Sequence, residues 1–171
     1  MNYWETYALV VNWASVRLLL ALSHIHSLKS KSINFVLVFP QAVLDTEVYI
    51  EIPYGFDRIY DNEKYVLKLL RSVYSLKLSN YNFYKKLCKV LEEQHIFLYP
   101  TNNCVFVLKN LILIVYIDDI LIFSKKKIWI DFFVKSFFEE KEKFELTNKG
   151  NIDKYLGVDI QKYPNSTYKI R

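Results

Sequence analysis

Leu111-Ile112-Leu113-Ile114-Val115-Tyr116-Ile117-Asp118-Asp119-Ile120-Leu121-Ile122-Phe123 is the stretch on which the reading of this chain turns. Two apolar runs of strand length flank a pair of adjacent carboxylates. The run is too short, and too charged at its middle, to span a bilayer. Neighbouring side chains of a straight strand point to opposite faces, which would part the two acids, whereas a tight turn brings both to one tip. Two anions held close raise each other's pKa unless a cation neutralises them. Oxygen donors of this kind suit Mg²⁺, which takes a few carboxylates and leaves its other positions to water and substrate phosphate. The competing reading is a solvated hairpin turn, where Asp is common. The apolar flanks favour the cation site.

Working outward, Ala14–His26 has helical spacing, with Val16, Leu19, Leu20 and Ser23 on one face and Ser15 where a cap is expected. Ser32–Phe39 is nearly continuous apolar and predicts a buried strand that Pro40 stops. Val48–Ile52 alternates like a short strand before the turn signal Pro53-Tyr54-Gly55, and Val66–Leu70 is a short apolar run. Asn80–His95 predicts an amphipathic helix through Phe83, Leu87, Val90 and Leu91. Val105–Leu108 and Leu111–Tyr116 predict strands joined by Lys109-Asn110, and Ile120–Phe123 predicts another. A helix is expected over Ile128–Lys143, then a loop holding Gly150 and a last strand over Tyr155–Ile160. Strands interleaved with packing helices predict an α+β fold, an antiparallel sheet with helices on one face, in a ferredoxin-like pattern.

Composition bounds the function without choosing it. The chain has 171 residues, 52% hydrophobic and 24% charged, which excludes collagen-like and disordered classes. Its net charge of +5 permits a phosphate-rich partner. With only 3 Gly, neither a P-loop nor a dinucleotide fingerprint can be written. Cys88 and Cys104 make no disulfide framework or zinc site, and His24, His26 and His95 are scattered. Met1–Val11 carries Glu5 where a signal peptide needs an apolar core. An intracellular place, cytoplasmic or nuclear and off the membrane, is therefore expected.

Tyr116-Ile117-Asp118-Asp119 resembles the Y-x-D-D box of reverse transcriptases, and its surroundings narrow the likeness to the copia-type LTR retrotransposons. That family carries ETYAPVV and VR-LLALA, an Asp-led strand, then VYMEQPPGF, LYGLKQ, YVDDILI and YFLGIEI. The matching blocks here are Glu5–Val11, Val16–Leu22, Val48–Phe56, Val73–Leu78, Tyr116–Ile122 and Tyr155–Ile160, in the same order. The resemblance implies a single fingers-palm domain over 1–171, with fingers mainly 1–31 and 46–79 and palm mainly 32–45 and 80–160. Thumb and RNase H would follow Arg171. It implies an RNA-directed DNA polymerase that adds dNTPs to a primer on two Mg²⁺ ions, with an RNA/DNA template-primer as partner and RNase H and integrase as companions in an intact Pol polyprotein.

The same resemblance implies the site. Asp118 and Asp119 would be catalytic and metal-holding. The family's first catalytic aspartate falls on Asn34, which keeps a carbonyl oxygen but loses the charge. That loss should cost roughly several kcal/mol of metal binding and transition-state stabilisation. Phe39 would stack under the sugar, and Arg17, Tyr74, Ser75 and Lys77 would serve substrate. Tyr155, Leu156, Gly157 and Val158 would form the primer grip. Leu9, Ser75 and Leu78 replace the family's Pro, Gly and Gln. Plain alternatives stand beside these roles: a core Phe39, solvated charges at Arg17, Lys77 and Lys125–Lys127, and a bulged edge strand at Gly157. The expected activity is an impaired polymerase. The alternatives are a non-catalytic nucleic-acid-binding or structural relic and, less well matched, another palm-like nucleotidyl enzyme such as a cyclase.

Overall fold

The computed structural model describes residues 11–56, 64–74, 76, 78–139, 144–150, 152–155, 158–163 and 168–170. The helices are α1 (Trp13–Ile25), α2 (Ser79–Glu93) and α3 (Lys127–Glu139). The strands are β1 (Lys29–Phe35), β2 (Tyr49–Ile50), β3 (Leu67–Lys68), β4 (Phe97–Tyr99), β5 (Asn102–Leu108), β6 (Leu111–Tyr116), β7 (Asp119–Ser124), β8 (Leu146–Gly150), β9 (Lys154–Tyr155), β10 (Val158–Lys162) and β11 (Tyr168–Ile170). A 3₁₀ turn covers Phe39–Gln41.

Six strands form one sheet in the order β4-β5-β6-β7-β1-β8, every pair antiparallel. β9, β10 and β11 form a second small sheet, and β2 pairs with β3. The central hairpin β6–β7 is apolar on both faces, so both faces need cover. Leu111, Leu113, Val115, Ile120 and Ile122 pack with α2 and α3, through Phe83, Leu87, Leu91, Ile130, Phe133 and Phe137. Ile114, Leu121 and Phe123 face the other way, onto Val16, Leu19 and Leu20 of α1 and onto Ile152, Tyr155 and Ile160. Helices therefore cover both faces, not one as expected. The apolar alternates of β6 and β7 leave no solvent face for the sheet to keep.

The first core is closed by aromatic rings set edge to face. Phe35 lies 5.1 Å from Phe83 and 4.8 Å from Phe144, at interplanar angles of 78° and 67°. Such pairs add about 0.5–1.5 kcal/mol each beyond the area they bury.

Strand β1 differs most from its expected span. It starts at Lys29, and it ends at Phe35 because Leu37 takes a left-handed φ of 47° and Phe39-Pro40-Gln41 coils into the 3₁₀ turn. The ladder is replaced there by a side chain. Gln41 donates to the carbonyls of Val36 and Glu145 and accepts the Glu145 N–H at 2.8 Å. Asn12, not Ser15, caps α1, accepting from the Ala14 N–H at 2.8 Å. Strands β4, β8 and β11 were not expected, and Gly150 closes β8 instead of sitting in a loop.

Candidate functional site

The acidic hairpin is a two-residue turn. Tyr116 and Asp119 are the last paired residues of β6–β7, which leaves Ile117 and Asp118 as its corners. Ile117 takes a φ of 47°. A β-branched residue in that region is strained, at roughly 1–3 kcal/mol, and such strain is kept only where the surroundings enforce it. Here they do. The Phe35 N–H donates to the Asp118 carbonyl at 2.7 Å, which docks the turn onto the end of β1. The β1–β7 register sets Asn34 directly across from Asp119, and the β1–β8 register sets Asn34 across from Thr147.

Asn34 and the two acids, far apart in sequence, are thus brought together. The Asn34 amide donates to the Phe35 carbonyl at 2.9 Å, which turns its own oxygen outward. That oxygen and an Asp119 oxygen accept from the same ammonium: Lys149 Nζ stands 3.2 Å from Asn34 Oδ1 and 2.8 Å from Asp119 Oδ1. Sequence reasoning missed Lys149. It is the residue inserted where the β1–β8 register shifts, between Ile33 opposite Asn148 and Ser32 opposite Gly150. A bulge re-aims a side chain, and no local pattern announces one. Asp118 is only partly buried, and burial is the first cause that pushes its carboxyl above the ordinary 3.8. Its own backbone N–H opposes the shift, the Asp119 charge adds to it and Lys149 opposes it.

The other expected residues are dispersed. Phe39 is buried in the first core and meets Tyr74 edge-on, with ring centroids 4.8 Å apart. Tyr74 itself is exposed. Arg17 stands exposed on α1. Tyr155 is 1% exposed, with its ring in the second core beside Trp13. A side chain so enclosed does not lie along a surface-bound strand. Its hydroxyl has no partner among the described residues, and burial, then Asp119, raise its pKa. Val158 pairs with Tyr155 in the β9–β10 hairpin. Ser75, Lys77, Leu156 and Gly157 lie outside the described residues, as does most of the Glu5–Val11 block. A groove of about 1070 Å³, lined in part by Lys29, Lys31, Lys127 and Asp131, lies toward the opposite end of β1 and includes none of the expected residues.

As a donor set, the turn offers two carboxylates and one carboxamide oxygen, and an ammonium already rests on two of the three groups. Among the described residues no three His, Cys, Asp or Glu side chains gather where they could hold a metal ion. The set is one carboxylate short of the three that the resemblance implies, which leaves more of a divalent ion's shell to water and substrate phosphate. No described helix is long and apolar enough to cross a membrane.

The family described as reverse transcriptase (RNA-dependent DNA polymerase) matches residues 1–171, and the chain belongs to it. Among curated proteins it is similar to the retrovirus-related Pol polyprotein from transposon TNT 1-94 of Nicotiana tabacum, 27% identical over 165 residues. That likeness covers 94% of this chain and 12% of the polyprotein, so the chain spans about an eighth of that relative. No solved structure matches the chain.

Proposed function

We propose that this chain is the fingers-palm part of a retrotransposon polymerase, RNA-directed by descent, whose nucleotide-adding chemistry is impaired at Asn34. The observation that carries the reading is the β1–β7 register, which sets Asn34 beside the docked Asp118-Asp119 turn. A palm of this kind is ferredoxin-like, and the sheet order β8-β1-β7-β6 with α2 and α3 on one face supports that pattern. Fingers then fall mainly in 1–31 and 46–79 and palm in 32–45 and 80–160. Asp118 and Asp119 would take Mg²⁺ weakly, since Asn34 brings no charge and Lys149 competes for its oxygen. Phe39 and Tyr74 would face the sugar, and Arg17, Ser75 and Lys77 would serve phosphate or template. Val158, Leu156 and Gly157 would follow the primer, with Tyr155 holding them from inside the core.

The partners are an RNA/DNA template-primer and dNTPs, with RNase H and integrase as neighbours in a whole Pol polyprotein. Template-primer would be gripped largely through phosphate, so its affinity should fall with salt. The Lys149 ion pair favours a second outcome, a palm that binds nucleic acid without extending it. Primer extension on an RNA template, comparing the chain with Asn34→Asp, tests the reading. Little or no extension by the parent and a clear gain in the variant are expected. Extension by the parent at the variant's rate would refute the impairment. Salt-sensitive binding of the hybrid with no extension by either would favour the second outcome.

A further inference from the structure

We infer that Lys149 is a built-in counter-cation, an ammonium that holds the place of a divalent ion between Asn34 and Asp119 and keeps the acidic turn charge-balanced without metal. The inference rests on the reading of the turn as a cation site but does not need it to support polymerisation.

Three observations carry it. The ammonium is shared, 2.8 Å from a carboxylate oxygen and 3.2 Å from the Asn34 oxygen, so it bridges the pair although the lysine side chain is 45% exposed. The carboxylate is largely enclosed, its side chain 17% exposed, and an enclosed anion needs a partner more than a surface one does. Lys149 also arrives by construction. It is the inserted residue where the β1–β8 register shifts, and the strand resumes pairing at Gly150, whose φ is 79°. The Gly150 N–H is taken by the Asn148 side chain at 2.9 Å, which fixes the backbone on either side of the bulge.

Asn34 fits the same scheme. An aspartate at 34 would set a third carboxylate against the other two, whereas the carboxamide gives the ammonium an acceptor and adds no repulsion. A divalent ion taking the same two oxygens has to displace an ammonium tethered by its own chain. Tethering keeps the ammonium at a high effective concentration beside these oxygens, and a free ion has to outcompete it.

Mn²⁺ titration of the metal-free chain, followed by electron paramagnetic resonance in the absence of nucleotide and nucleic acid, tests this. Lys149→Met and Lys149→Gln remove the charge and leave every oxygen donor in place. Lys125→Met makes the same change in net charge beyond the end of β7. Both Lys149 variants should bind Mn²⁺ at least about tenfold more tightly than the parent, because site affinity follows ligand charge. Lys125→Met should bind as the parent does. Parent-like affinity in folded Lys149 variants, or an equal gain in Lys125→Met, would overturn the inference. So would loss of the fold in both Lys149 variants, checked by circular dichroism, since the lysine would then be structural. Primer extension does not enter the titration, so failure here and failure of the polymerase reading stay distinguishable.

Discussion

The Asp118 carboxyl is held above its ordinary 3.8, first by burial and then by the charge of Asp119. A carboxyl with a higher pKa in the folded than in the unfolded chain binds its proton more tightly in the fold. Its contribution to stability is whole below the unfolded value and is lost as pH rises through the folded one. At neutral pH the ionised group is therefore a burden. Asp118→Asn should melt at a higher temperature than the parent at pH 7 in the presence of a chelator. The gap should close as the pH falls below the ordinary carboxylate range. A variant that melts lower at pH 7 would show that the carboxylate is paid back by a partner. The two acids were legible because strand-length apolar runs flank them. Asn34 was legible only through the resemblance, in which Phe39 aligns with the family's phenylalanine and so points to position 34. Lys149 was not, since its position depends on a register shift between β1 and β8, which are separated by most of the chain.

Among elements, the helices end in an unusual way for a chain with 3 Gly. After α2, His95 takes a φ of 59°, its N–H bonding to the Glu92 carbonyl at 2.8 Å and that of Ile96 to the Leu91 carbonyl at 2.9 Å. After α1, Ser27 takes a φ of 51°, its N–H bonding to His24 at 3.1 Å and that of Leu28 to Ser23 at 2.8 Å. Both are Schellman ends, a motif that usually places Gly where His95 and Ser27 stand. His95→Gly should therefore raise stability by about 1 kcal/mol, by relieving the left-handed residue. A later urea midpoint with an unchanged slope would show it, and an earlier midpoint would refute it. The same scarcity explains what was hard to read. Helix cores and, to within two residues, their ends near His26 and His95 followed from the spacing, but without glycine the left-handed Leu37 just beyond the end of β1 carried no mark.

Across the whole molecule, one hairpin serves two cores. Ile120 and Ile122 of β7 are buried with α2 and α3, while Leu121 and Phe123 are buried with α1 and the β9–β10 hairpin. Neither core can open without exposing a face of the same strands, so the two should melt in one step. Trp13 borders the second core, and Trp129 is half-exposed on α3, whose Ile130 and Phe133 belong to the first. With Trp4 replaced by Phe, Trp129→Phe and Trp13→Phe leave a single reporter on each side. Their urea transitions should coincide once each variant's own stability is allowed for by circular dichroism, and a clear offset would mean that the cores are independent. The sheet was legible as a class because its strands are apolar runs. Its two-sided cover was not, because an apolar run does not say what will be laid on each face.

The bond from the Phe35 N–H to the Asp118 carbonyl links the turn to the strand that carries Asn34. A tip fastened in this way cannot swing by itself. A ligand that lifts the turn must either drag β1 along or break the tether. The spacing between position 34 and the acids is then a property of the main chain and behaves like a fixed gauge.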